Sequence, residues 1–342
     1  MTDAPLRLRL DSASLINNWR LLAAMSGPAA CGAAIKADGY GLGAIEVARR
    51  LSGAGCRDFF VATWAEASAL APLGLSVSVL HGLRPEDQAA AQSGMARPVL
   101  NTLGQVARWR TIGGGRCDVM VDTGMNRLGL SIEEVRSGVL DGLAIDTLMS
   151  HLACADEDAA MNAAQLAAFS GLKGRVRARR FSLANSAGIA LGPNYAFDLT
   201  RPGLALYGGV PRSELGAIRQ VVTPEAQVLQ RRRVRAGETI GYNATYRAPA
   251  DIEVAIVNIG YADGYFRGFS GVGRALSGAA MLPVLGRVSM DLVAIGVDAA
   301  RHIAEGDWVQ LDYALPSAAA ASGMSPYELL TGLGARYDRS WV

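Results

Sequence analysis

The feature that most constrains this chain is an alternation. Through the first two thirds of the sequence, short apolar runs of strand character are separated by longer Ala- and Leu-rich stretches. The runs are ACGAAI (30–35), DFFVAT (58–63), VSVLHG (77–82), RPVLN (97–101), CDVMVD (117–122), IDTLMSH (145–151), FSLAN (181–185) and LALYG (204–208). Between them lie helical patterns such as GAIEVARRLSGAG and DAAMNAAQLAAFSGLKGRV. Strands joined by helical crossovers pair in parallel, and eight such units predict a (β/α)8 TIM-type barrel rather than an open sheet.

After about residue 215 the texture changes. Helical periodicity fades, and AQVLQRRRVRAG, DIEVAIVNIG, MLPVLGRVSMDLVAIGVD and GDWVQLDY alternate apolar with polar residues. These segments, punctuated by Gly, Pro and Asp, predict a mainly-β second domain. The opening PLRLRL alternates too and is expected to add a strand to it. DSASLINNWRLLAAM then offers an N-cap, Asp11 or Ser12, and an amphipathic helix. The expected organisation is an α/β chain: residues 11–215 a barrel, residues 216–342 with 1–10 a β-rich domain.

Composition removes several function classes. Half the residues are hydrophobic and 19% are charged, which supports a large core and argues against disorder. The net charge is +2, and the densest basic run, QRRRVR at 230–235, reads as the solvated face of a strand, so no nucleic-acid partner is expected. No apolar segment follows basic residues at the start, which predicts neither a secretory signal nor a membrane span. The four cysteines, Cys31, Cys56, Cys117 and Cys154, form no C-x-x-C pair and read as free thiols in a reducing cytoplasm. His81, His151 and His302 lie far apart, and nothing in their spacing argues for a metal site.

Polar residues end the strand-like runs: Lys36, His81, Asn101, Asp122, His151, and Asn185 with Ser186. A barrel carries its active site at the C-terminal ends of its strands. Polar residues also follow strands as turn formers, but His and Lys are poor ones. Lys36 stands out further, because of 33 Lys and Arg residues only Lys36 and Lys173 are lysine. Arginine stays protonated, whereas a desolvated lysine can lose its proton and form a Schiff base. The GYGLG that follows Lys36 lacks the spacing of a dinucleotide or Walker loop.

Eight motifs, in order, carry a resemblance: AAIKADGYGLGA around Lys36, VDTGMNRLG (121–129), SHLACAD (150–156), ANSAG (184–188), RPGLALYG (201–208), GYNATY (241–246), GYADGY (260–265) and GRVSMD (286–291). Together they span nearly the whole chain, which resembles the alanine racemases among the fold-type III pyridoxal-phosphate enzymes. The resemblance implies pyridoxal 5'-phosphate held covalently by Lys36, and interconversion of L- and D-alanine by proton transfer between two bases, Lys36 and Tyr242. His151 and Arg201 would perturb Tyr242, whose ordinary pKa is too high for a base at neutral pH. Arg201 would also face the pyridine nitrogen, where a carboxylate would make a stronger electron sink. Tyr40, Asn185, Ser186, Gly203 and Leu204 would hold the phosphate. Arg127 and the Met290 backbone would meet the substrate carboxylate. Tyr261, with Asp156, Arg267 and Arg287 further out, would line the substrate's path. A homodimer with shared sites, Tyr242 coming from the partner, and a role in supplying D-alanine to peptidoglycan also follow from the resemblance.

Other readings of the same residues stay open at this point. His151 also suits a satisfied core histidine, Tyr242 and Tyr246 a cross-strand packing pair, and Arg127 an ion-pair partner of Asp122. A racemase of another or broader amino-acid range, or a non-catalytic pyridoxal-phosphate-binding protein, are the alternative functions. The chain departs from the family pattern twice. Many members carry a lysine, carbamylated in some, two residues before the aspartate of DTGMNR; here that residue is Met120. A phosphate-binding tyrosine near the C-terminus of some members is matched by Ala335, with Tyr337 two residues on.

Overall fold

The computed structural model describes residues 4–342. They divide into two compact units: one of residues 15–206 and 210–218, the other of the described residues up to Ser14, 207–209 and 219–342.

In the first unit, seven parallel strands follow one another in chain order: Ala33–Ala34, Asp58–Val61, Ser76–Val79, Arg97–Leu100, Arg116–Met120, Ala144–Met149 and Ala178–Ser182. The eighth, Leu199–Thr200, closes the ring. On one side it pairs in parallel with Ala30–Cys31, the start of the first strand. On the other, Asp198 N–H donates to Phe181 O at 3.0 Å and Arg201 N–H to Ala184 O at 2.9 Å. Gly32 interrupts the first strand where a Cβ would stand 2.8 Å from Asp58 O, so a side chain there would push the second strand away. Helices return between strands, and their starts are written locally. Thr63, Ser131 and Asn185 each accept a backbone N–H of the first turn, and Thr63 and Ser131 form full capping boxes with Glu66 and Glu134.

The eighth strand corrects an expectation. LALYG was the expected strand, but Leu204–Tyr207 is a buried 3₁₀ turn, and the strand lies earlier, at Leu199–Thr200. Pro202 has no N–H for a ladder, and a short buried apolar run has no period that separates strand from helical turn. The seventh strand also starts earlier than FSLAN, at Ala178. Its arginines look solvent-facing in sequence, yet Arg180 bonds Asp58 on the second strand at 2.8 Å, which requires it to point into the barrel.

The second unit is β-rich. Val222–Val234, Ile252–Val257, Val293–Gly296, Ala280–Leu285, Arg274–Ser277 and Trp308–Leu311 form a closed ring, because the long first strand pairs with both Ile252–Val257 and Trp308–Leu311. A bulge between Val228 and Gln230 lets that strand bend between the two pairings. Leu6–Leu10 adds antiparallel to its start, and its inward residues Leu6, Leu8 and Leu10 are fully buried, at about 1.5–3 kcal/mol each. QRRRVR is a solvated face: Arg231 pairs Glu253 at 3.2 Å and Arg233 pairs Asp251 at 2.8 Å. Among the described residues no helix is long and apolar enough to cross a membrane, and no three His, Cys, Asp or Glu are placed to hold a metal ion.

Candidate active site

The first strand ends at Ala34, Ile35 follows, and after Lys36 the backbone changes hand. Ala37, Asp38, Gly39 and Tyr40 have φ of 51°, 52°, 63° and 56°, a left-handed turn directly after Lys36. For each non-glycine residue this costs about 1–2 kcal/mol, so the surrounding bonds must hold it. Ala37 N–H donates to Glu66 Oε1 at 2.7 Å, Ala44 N–H to Asp38 Oδ1 at 2.8 Å, and Gly39 N–H to Ile35 O at 2.8 Å. Glu66 also accepts the N–H of Ala62 at 2.6 Å. The lysine therefore sits on a locked corner. Burial, then the positive charge of Arg127, push its amine below the ordinary lysine value, with Glu66 opposing.

Arg201 is buried. Its guanidinium donates to Ser182 Oγ and to the Ser150 carbonyl, and no carboxylate pairs with it among the described residues. Burial brings it down to about 10, so it remains a cation at neutral pH. His151 follows the sixth strand. Burial, then the charges of Arg201, Arg127 and Lys36, drive its imidazole down to about 3, so it is neutral at pH 7. Lys36, Arg127, His151 and Arg201, from the ends of four strands, thus lie within electrostatic reach of one another.

With methionine at position 120, what positions Arg127 is a carboxylate-capped loop. Asp122 accepts the backbone N–H groups of Gly124 at 2.8 Å, Asn126 at 3.1 Å and Arg127 itself at 3.2 Å. Asn126 takes φ 55°. At the loop's far end Gly129 has φ 135°, and a Cβ there would meet Asp122 N at 2.7 Å. Asp122 therefore holds the loop rather than the guanidinium, and among the described residues Arg127 makes no ion pair. Met120 is buried in the fifth strand.

Tyr40, Ser186 and Gly203 converge. A Cβ on residue 203 would fall 2.2 Å from Tyr40 Oη, so only a bare backbone lets that hydroxyl approach. Ser186 Oγ accepts the N–H of Gly203 at 2.9 Å and of Ala205 at 3.2 Å. Both amides on this hydroxyl thus come from the segment that follows Arg201. Asn185 caps its helix through Gly188 N–H at 2.8 Å, which fixes the Ser186 end of the loop. Two hydroxyls beside backbone amides and a residue without a side chain suit a small multi-oxygen anion such as a phosphate.

The second unit carries the remaining candidates. Tyr242 opens a turn in which Asn243 and Ala244 have φ of 62° and 52°, and its ring is 65% exposed. Tyr246 is the packing residue of the two: it pairs opposite Ile240 and lies against Val234, Val254 and Leu285. Tyr261 and Met290 sit on two loops joined by their backbones, Tyr261 N–H to Ser289 O and Ala262 N–H to Met290 O, both at 3.0 Å. Gly260 is required there, since a Cβ would stand 2.2 Å from Met290 O. Arg336 ties the same loops by donating to buried Asp263 at 2.7 and 2.8 Å and to Asp291 at 2.7 Å. Arg267 lies 5.0 Å over the Tyr261 ring. Asp156 and Arg287 are exposed, and Tyr337 is buried with its hydroxyl pushed up by that burial.

Comparison with known proteins gives the same answer along the whole chain. A family model described as the alanine racemase N-terminal domain matches residues 10–211, and one described as the C-terminal domain matches 221–341. The chain belongs to the alanine racemase family. An alanine racemase of Acidiphilium cryptum is 41% identical, with 97% of each chain covered. A catabolic alanine racemase of Agrobacterium fabrum is also 41% identical, over 98% of this chain and 92% of that one. The alanine racemase of Bartonella henselae, solved with covalently bound pyridoxal phosphate, matches with a TM-score of 0.90 and 35% identity, covering 98% of this chain and 99% of that one. The family's barrel and mainly-β domain are thus the fold of this racemase chain.

Several residues that shape the site were not singled out in sequence. Glu66 is hidden inside a capping box. Ser150 and Thr123 lie unnoticed inside the motifs of His151 and Arg127, and Ser182 inside FSLAN. Gln165 had a faint signal: it stands three residues after Asn162 on one helix, and both polar side chains are buried.

Proposed function

We propose that this protein interconverts L-alanine and D-alanine with pyridoxal 5'-phosphate attached to Lys36. The observation that carries the reading is the lysine itself, half-buried on a locked corner near Arg127, His151 and Arg201, with no carboxylate paired to Lys36, Arg127 or Arg201 among the described residues. Such a set favours anionic oxygen, which the substrate carboxylate brings. When bound, the cofactor supplies the electron sink that makes the alanine Cα proton removable.

The protein's own residues do the rest. The depressed proton affinity of Lys36 lets its amine take or return a proton on one side of Cα. Tyr242 serves the opposite side. Neutral His151 and the fixed guanidinium of Arg201 set the field in which that tyrosine gives up its proton. Arg201, held by Ser182 and Ser150, has only N–H to offer, so against the pyridine nitrogen it would donate rather than accept a proton and would keep the sink weak. Tyr40, Ser186 and the Gly203–Leu204 backbone hold the phosphate, and Asn185 fixes the end of their loop. Arg127 and the Met290 backbone orient the carboxylate, with Tyr261 on the substrate's path.

Tyr242 reaches the site from a second copy of the chain, in a homodimer whose barrels, 11–215, are each completed by the partner's β domain, 216–342 with 1–10. Its ring and the side chains of Met290 and Leu292 are 65%, 54% and 40% exposed, apolar surface that suits such an interface. Four free cysteines, three of them buried, suit a reducing cytoplasm, and D-alanine made there would supply peptidoglycan precursors.

The test is polarimetric. Purified protein with pyridoxal phosphate should bring the rotation of L-alanine to zero, and Lys36→Ala should leave it unchanged. A mixture of Lys36→Ala and Tyr242→Phe subunits should recover about a quarter of the wild-type rate, because one site of each hybrid dimer is intact. No recovery would mean that both residues act from one chain.

A further inference from the structure

Gln165 lies in the helix Ala160–Ser170 and is fully buried. Its amide is used at both ends. Oε1 accepts the N–H of Ala153 at 2.9 Å, while Nε2 donates to the His151 carbonyl at 2.9 Å and to Thr123 Oγ1 at 3.1 Å. The orientation is unambiguous, since an N–H needs the oxygen and a carbonyl needs the nitrogen. The connection continues: Thr123 Oγ1 shares a hydrogen bond with Ser150 Oγ at 2.7 Å, and the Ser150 carbonyl accepts from Arg201. One side chain therefore joins the loop that presents Arg127, the residue His151, and, through Ser150, the guanidinium of Arg201.

We propose that Gln165 is a positioning residue of the racemase site, holding His151 and the Arg127 loop in register with Arg201. The inference rests on the functional reading above. Packing alone does not explain a glutamine here. Leucine or methionine would fill the same space on a buried helix face, and a buried amide is tolerated because its partners are bonded. Glutamate would keep the bond from Ala153 but set an acceptor against the His151 carbonyl. Asp122 holds the loop from within, and the Thr123–Gln165 bond is its tie to the helix Ala160–Ser170.

The experiment has a kinetic arm and a spectroscopic one, both on the full chain with pyridoxal phosphate. Gln165→Glu should lower kcat for alanine about 10–100-fold, the usual cost of losing a partner that orients a site residue. Thr123→Val should act mainly through KM, because it frees the Arg127 loop and leaves the Gln165–His151 bond in place, and Thr123→Ser should restore what Thr123→Val loses. Selectively labelled histidine, with His151 assigned through His151→Asn, gives a readout independent of turnover. In the unmutated protein its ring should stay neutral on acidification, and in Gln165→Glu its titration should move upward. Wild-type kcat with an unmoved His151 titration in Gln165→Glu would overturn the proposal, as would Thr123→Val and Thr123→Ser behaving alike. Failure of the functional reading looks different: the unmutated protein would leave L-alanine unracemised, and the His151 titration alone would then decide the role of Gln165.

Discussion

The two ends of the barrel hold the same kinds of charged residue and use them in opposite ways. At the N-terminal end, Asp58 takes both nitrogens of Arg180 at 2.8 and 2.9 Å, and Arg180 also reaches Asp146 at 2.8 Å. Asp118 lies 3.5 Å from Arg97 and accepts from Ser78 Oγ at 2.5 Å and from Thr147 N–H at 3.0 Å. Arg179, at the rim, adds a pair to Asp146 at 3.2 Å. At the C-terminal end, Lys36, Arg127 and Arg201 have no such partners among the described residues, and the nearby carboxylates, Glu66 and Asp122, accept backbone N–H groups instead. A buried charge that is paired inside the chain is already satisfied. One left without a counter-charge asks for an anion from outside. Arg201 is buried, Lys36 half-buried and Arg127 exposed, so burial does not mark the set; the lack of a paired carboxylate does.

That contrast can be broken from either end. Lys36→Ala should cost about 10³-fold or more in racemisation while leaving the melting temperature near that of the wild type, because no internal partner is orphaned. Equal losses of activity and stability would erase the distinction. Asp58→Ala should do the reverse. It takes from Arg180 one of its two carboxylates, leaving Asp146, and should cost about 1.5–3 kcal/mol in denaturant unfolding, with the rate per folded molecule unchanged.

Acid sharpens the comparison. The His151 imidazole falls from the ordinary 6.5 to about 3 in the fold, so between those values the unfolded chain binds the extra proton. Stability contributed by the neutral ring is therefore complete above about pH 6.5 and falls as pH drops toward 3. The slope from this one group is up to about 1.4 kcal/mol per pH unit. At the other end burial raises the Asp146 carboxyl, but the Arg180 hydrogen bond and the charges of Arg97, Arg180 and Arg179 outweigh it, leaving the carboxyl below its ordinary value. Its stabilisation is lost only at lower pH, as acid reaches that depressed value. Unfolding of wild type and His151→Asn measured from pH 7 down to about pH 2 should therefore separate the two: the variant loses the slope that begins near pH 6.5 and keeps the one that begins below the ordinary carboxylate value of 3.8. The smallest expected effect is at the phosphate loop, where Asn185→Ala removes a helix cap worth about 1 kcal/mol and should weaken retention of pyridoxal phosphate on dilution.

Much of this was legible along the chain. The alternation of strand and helix patterns gave the barrel, and seven of the eight expected runs overlap its strands. The eighth misled because LALYG is apolar throughout, and a fully buried run has no period to betray a 3₁₀ turn. Lys36 was legible because lysine is rare here and its chemistry is unlike arginine's. The pairing that separates Arg180 from Arg201 was not legible: both are arginines in strand-rich surroundings, and their partners lie on strands far away in sequence. Gln165 was hidden for the same reason, since its bonds run to residues 12, 14 and 42 positions away.

The sequence by itself therefore determined the local choices: which segments become strands and helices, which residues cap them, and which side chain can lose a proton. These follow from spacing and side-chain chemistry within a few residues. Only the tertiary structure decided which charges are paired, that Asp122 holds the Arg127 loop by its backbone, and that one buried glutamine joins that loop to His151. Such facts depend on distances between strand ends that are remote in sequence, and closing the barrel is what sets those distances.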